Sequence, residues 1–146
     1  MMSSMPKGLT AATGMDALTH AIESCVSRKA TKLTIDFSLR AAGRLARFLP
    51  VAFASPDDAE ARRECLLGSL EAGIAFTNSS VALVHGMARP LGAKFGIPHG
   101  VSNAVLLHSA FLNARVAVLK DLCAAATPEG HARALALLAG MGYEIV

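Results

Sequence analysis

Between residues 32 and 49 the apolar side chains Ile35, Leu39, Ala42, Ala46 and Leu49 step by four and three, while Arg40, Arg44 and Arg47 keep that step on another face. Such spacing makes one stripe of a helix and cannot make one face of a strand, whose side chains alternate every second residue. No segment of the 146 residues alternates apolar and polar for long. The chain therefore has to bury its apolar surface helix against helix. Composition agrees: hydrophobic residues are 53% of the chain but aromatics only 5%, with no Trp, so alanine and leucine carry the core. Small and straight side chains favour closely packed helices over a sandwich. The fold class read from the sequence is all-α, a single bundle-like helical domain over 1–146.

A first helix is expected over roughly 10–28 and a second over 32–49. Ser55-Pro56-Asp57-Asp58 reads as an N-cap, a proline at the first helical position and acids in the first turn, opening a third helix that reaches about Phe76. The stretch 79–95 begins helical, and Pro90 predicts a kink or stop near Arg89. After a turn at Gly96-Ile97-Pro98, another helix starts at His99 or Gly100 and runs to about Asn113. Thr127-Pro128-Glu129 opens a last one.

The net charge of +3 is small and scattered, and no basic cluster is interleaved with aromatics. Nucleic-acid binding is not expected. Cys25, Cys65 and Cys123 lie far apart and form no C-x-x-C pair, which reads as free thiols in a reducing compartment. The opening residues lack a signal-peptide core, and the longest uncharged runs, 72–88 and 96–114, are too polar to span a membrane. The expectation is a soluble, cytoplasmic protein that binds no membrane.

Asp16 and His20, in "GMDALTHAIE", are spaced i, i+4 and share one helix face. That geometry offers two ligands to one metal, and it equally describes a surface ion pair. His85, in "ALVHGMA", has no acid near it in the sequence, and His99 follows a proline turn at the mouth of a helix. Each alone also reads as a packed or capping histidine. Together they bracket a kink and a turn that would let consecutive helices aim imidazoles at one point. Asp16, His20, His85 and His99 would then give one carboxylate oxygen and three nitrogens. Such a set suits Fe²⁺ or Zn²⁺ better than Mg²⁺ or Ca²⁺ and leaves a position for a substrate oxygen.

The runs "MPKGLTAATGMDALTHAIESCVSRKATKLTIDFSLRA" and "NSSVALVHGMARPLGAKFGIPHGVSNAVLL", spanning about 4–107, resemble the metal-binding helical domain of iron-containing alcohol dehydrogenases. D-A-L-T-H, H-G-M-A and P-H-G carry the resemblance. It implies an all-helical C-terminal domain shared with dehydroquinate-synthase-like enzymes. It also implies metal ligands at Asp16, His20, His85 and His99, Fe²⁺ in most members and Zn²⁺ in some, and hydride transfer between a small alcohol or aldehyde and NAD or NADP. The metal acts as a Lewis acid on the substrate oxygen. A dehydroquinate-synthase-like or glycerol-dehydrogenase-like activity shares this architecture, but the D-A-L-T-H and H-G-M-A strings fit the alcohol dehydrogenase branch better.

Three departures qualify this expectation. Arg89 stands where many members have a second histidine, four residues after His85. An arginine cannot carry a proton, but it can hold an anionic substrate group or a cofactor phosphate, or serve in a structural ion pair. His108 replaces a usual proline and, with His131, reads as a surface or packing residue. No G-x-G-x-x-G loop occurs in the 146 residues, so the chain reads as the metal-binding piece of an enzyme whose α/β NAD(P)-binding domain is absent. The alternative is a non-catalytic helical module used for assembly. Without the α/β domain, a cleft face including Ala82, Met87 and Leu91 would be exposed and favour self-association.

Overall fold

The computed structural model describes residues 5–113. They form five helices: α1 (Lys7–Val26), α2 (Lys32–Ala54), α3 (Ala59–Ser79), α4 (Leu83–Phe95) and α5 (His99–Asn113). No strand occurs among the described residues. The anticipated helix at Thr127 lies outside them.

Helices α1, α2 and α3 pack on one another, while α4 and α5 pair and return to α1. The core between the first three is built of Ala17, Leu18, Ala21, Ala41, Ala42, Leu45, Leu49, Ala61, Cys65 and Ala72. So many alanines let the helix axes approach closely, and Leu45, only 1% exposed, fills the middle. Buried hydroxyls satisfy one another at the same seam. Ser24 and Ser38 share a 2.7 Å hydrogen bond, and Ser79 Oγ donates to Ser24 O at 3.2 Å. Arg44 joins α2 to α3 through Glu64 and Glu71.

The buried residues of α2 are Thr34, Ser38, Ala41, Ala42, Leu45, Leu49 and Ala52, whereas Ile35, Leu39 and Ala46 are half-buried. Ala42 and Leu49 of the apolar stripe are buried, while Ile35, Leu39 and Ala46 flank the seam. Small hydroxyls were passed over because they count as polar, yet Ser38 Oγ donates to Thr34 O at 2.8 Å and is buried at little cost.

The helix ends differ from expectation in two ways. α2 continues through Pro50 to Ala54, and α4 continues through Pro90 to Phe95 without stopping at Arg89. Both prolines are exposed, so the carbonyl each leaves unpaired can be reached by water. The N-cap of α3 is Asp58, which accepts from Ala61 N at 2.9 Å; Ser55 instead closes α2, its N–H donating to Val51 O. The break between α3 and α4 falls at Ser80, whose φ of 72° turns the chain so that the two helices lie 101° apart.

Two glycines set the approach of helices to α1. A Cβ on Gly100 would stand 2.1 Å from Ala12 O, and one on Gly14 would stand 2.2 Å from a methyl of Leu49. Contact at Gly100 draws the first turn of α5 onto α1, which brings His99 to the level of Asp16.

Candidate metal centre

Asp16 is the hub of a cluster drawn from three helices. Its Oδ1 lies 3.9 Å from His20 Nδ1, one turn along α1, 3.3 Å from His85 Nε2 on α4 and 3.5 Å from His99 Nε2 on α5. Ligating atoms of Asp16, His20 and His85 all fall within 4.8 Å of one another; His99 stands at the edge of that group, its side chain 44% exposed. The His20 ring stacks on Phe76 at 4.2 Å and lies 4.2 Å from the His85 ring. Arg89 is exposed on α4 and lines a cavity that also reaches His20. His108 is exposed and outside the cluster; His131 lies outside the described residues.

His85 has an acid partner that its neighbours in sequence do not supply. It sits in the first turn of α4, and its Nδ1 is 2.7 Å from Glu23 Oε2. Glu23, on α1, is only 3% exposed and also accepts from the backbone N–H groups of Val84 and His85. One carboxylate thus caps the orphan donors of a helix start and fixes a histidine ring. The second unforeseen residue is Asn103 on α5, fully buried. Its Nδ2 donates to Asp16 Oδ1 and lies 3.2 Å from both His85 Nε2 and His99 Nε2. The sequence held a signal for each. Glu23 lies seven residues after Asp16 and Asn103 four after His99, both helical repeats of a candidate ligand's face.

Burial works against charge on Asp16 and Glu23, but the His85 hydrogen bond and, for Glu23, backbone donors outweigh it and hold both carboxyls below their usual range. On His85, burial is outweighed by hydrogen bonds to Asp16 and Glu23, which push it up to about 9. Burial lowers His20, despite the attraction of Asp16.

Three features fit a divalent cation among these side chains. The donor set is one carboxylate and imidazoles, the chemistry of Fe²⁺ or Zn²⁺ sites. His20 is kept neutral, so its ring nitrogen has a lone pair to offer. Asn103 Nδ2 approaches Asp16 Oδ1, His85 Nε2 and His99 Nε2 at one point, while its buried Oδ1 has no partner. In the ion-free chain His85 brings its proton to Asp16 here, and a cation held by Asp16, His85 and His99 would take that proton's place.

Known proteins carry the same domain. The Fe-containing alcohol dehydrogenase family, C-terminal, matches residues 10–139. Lactaldehyde reductase of Escherichia coli (strain K12) is 49% identical over 107 residues, which are 73% of this chain and 28% of that protein. The crystal structure of 1,3-propanediol oxidoreductase superposes with a TM-score of 0.76 at 36% identity, covering 97% of this chain and 40% of that one. Sulfoacetaldehyde reductase from Bifidobacterium kashiwanohense, in complex with NAD⁺, gives 0.73 at 28% identity, covering 98% and 40%. The chain spans little more than a quarter of the curated relative's length. With the family matched across most of its residues and the fold shared with solved structures, the chain belongs to the Fe-containing alcohol dehydrogenase family.

Proposed function

We propose that this chain is the metal-holding part of an NAD(P)-dependent alcohol dehydrogenase, with Asp16, His20, His85 and His99 as ligands of Fe²⁺ or, alternatively, Zn²⁺. The reaction is oxidation of a small alcohol to an aldehyde or ketone, and its reverse, with hydride exchanged with NAD or NADP. The observation that carries this reading is the convergence of three histidines from three helices on one Asp16 oxygen. A bound divalent ion supplies Lewis acidity to a substrate oxygen.

The chain's own residues prepare the site. Glu23 holds His85 Nδ1, so that Nε2 faces the cluster. Phe76 stacks on His20 and fixes that ring against α3. Arg89 is the group we assign to an anion, a cofactor phosphate or the charged end of a substrate. No glycine-rich phosphate loop exists in the 146 residues, so the nicotinamide would be bound by residues beyond this chain. The same observation favours, as a second reading, a helical module that is inactive alone. The thiols of Cys25 and Cys65 are free, and burial raises both, Cys25 to about 11. We place the enzyme in the cytoplasm, where unpaired cysteines are the rule. No single helix among the described residues is long and apolar enough to cross a membrane.

Metal analysis after reconstitution with Fe²⁺ or Zn²⁺ tests the assignment. One ion per chain is expected, lost in Asp16→Ala and His85→Ala and retained in His108→Ala. A chain that takes up neither ion overturns it. NAD(P)H binding by the isolated chain separates the two readings, since the helical module binds none.

A further inference from the structure

Outside the cluster, the feature with most unexplained chemistry is a cavity of about 500 Å³ whose wall includes His20. Phe76, Asn78 and Ser80 line it, together with Lys29 and Arg89, and no carboxylate does. Elsewhere Arg40 and Arg44 meet Glu71 and Arg63 meets Glu64, while Arg28 and Arg47, like Arg89, have no ion-pair partner among the described residues but do not line this cavity. Among the described residues neither Lys29 nor Arg89 has an ion-pair partner. Two full positive charges thus face one concavity with no counter-charge among the described residues. Around them Ser80 and Asn78 offer further donors, and Phe76 offers an apolar wall.

We propose that this cavity holds the anionic end of the substrate, a short hydroxy or oxo compound carrying a carboxylate or similar oxyanion, with Arg89 as the principal contact and Lys29 as the second. Arginine presents a planar pair of donors that matches a carboxylate, and lysine adds a point charge. The position separates a substrate oxyanion from a cofactor phosphate. His20 belongs both to the cavity wall and to the Asp16 cluster, so a group bound there adjoins the cluster. The phosphates of a dinucleotide are set off from the nicotinamide by a ribose. The proposal deepens the metal-site reading and rests on it.

The test is binding of 3-hydroxypropanoate and of the neutral 1,3-propanediol to the Zn²⁺-loaded chain, followed by titration calorimetry and ligand-observed NMR. Zinc content is measured on the same samples. The expected result is at least about tenfold tighter binding of the hydroxy acid, since charge-assisted hydrogen bonds exceed neutral ones. That preference should vanish in Arg89→Gln, shrink in Lys29→Gln and weaken with added NaCl, with zinc content unchanged. Equal binding of the two compounds, no binding of the acid with zinc retained, or a preference that survives Arg89→Gln overturns the proposal. So does an Arg89 dependence found for nicotinamide mononucleotide and not for the hydroxy acid, which would assign the site to the cofactor. Failure to retain zinc in the unaltered chain would instead defeat the metal reading beneath it.

Discussion

Glu23 shows how much one buried carboxylate can organise. It pairs with His85 and accepts two backbone N–H groups at the start of α4. Glu23→Ala would leave His85 buried without its partner, so a loss of roughly 3 kcal/mol in denaturant unfolding is expected. Glu23→Gln keeps the shape and should fold. It should still weaken Zn²⁺ affinity about 10- to 100-fold, as removing a carboxylate that orients a ligand histidine does. A Gln variant with unchanged affinity would reduce Glu23 to a helix cap. The same groups predict a pH dependence for the metal-free chain. His85 is raised from 6.5 to about 9. Its contribution is therefore complete below 6.5 and lost as pH rises through 9. Asp16 and Glu23 are lowered, so their contributions are present above their ordinary values of 3.8 and 4.5 and lost as pH falls below them. The lowered His20 runs the other way from His85 and costs stability as pH falls below 6.5. Stability of the ion-free chain should peak between about pH 5 and 7. Zinc uptake near pH 7 should release a proton from His85, read as buffer-dependent calorimetric heats.

At the scale of the elements, the site depends on α5 lying close against α1. Gly100 permits this, because a Cβ there would meet the backbone oxygen of Ala12, which cannot step aside. Gly100→Ala should cost about 1–3 kcal/mol by overpacking and weaken zinc binding with it, since His99 and Asn103 ride on the same helix. Gly14→Ala presses on the flexible end of Leu49 instead. It should cost less and leave the site's affinity closer to normal. Equal effects on zinc from both would show that α5 is not specially placed by Gly100. The helices themselves were readable in the sequence, from the stepping of Leu39, Ala42, Ala46 and Leu49 to the turn before His99. Their ends were less so, because exposed prolines at 50 and 90 cost a helix less than interior ones. The apolar stripe marks only part of the buried seam of α2, Ala42 and Leu49, because Ser38 and Thr34 spend their hydroxyls on nearby carbonyls and pack as small apolar groups.

For the whole molecule, ion binding and folding should be one equilibrium. The cluster takes Asp16 and His20 from α1, His85 from α4 and His99 from α5, so an unfolded chain cannot assemble it. Free Zn²⁺ at a hundredfold excess over Kd should add about 2.7 kcal/mol, seen as a rise in Tm that tracks zinc concentration. Asp16→Ala should abolish the rise. His108→Ala, altering an exposed residue away from the cluster, should leave it intact. The face near α4 is less apolar than Ala82, Met87 and Leu91 alone suggested: Ala82 is exposed, but Met87 and Leu91 are half-buried. Leu83 and Phe95, 64% and 63% exposed, present the apolar surface instead.

The sequence by itself determined that this chain folds as helices and which four side chains could hold an ion. The helices and the Asp16–His20 pair follow from local spacing, which one helix's geometry converts into a shared face, whereas His85 and His99 entered the candidate set through their motifs. It could not place Glu23 against His85, 62 residues away, nor Asn103 against Asp16, 87 away. Those pairings are decided only when α4 and α5 fold back onto α1, because what joins them is burial and distance in space. The cavity that gathers Lys29, Arg89 and His20 was likewise made by tertiary packing. Nothing local marks three residues from three separate segments as neighbours until the turn at Ser80 swings α4 across the end of α3.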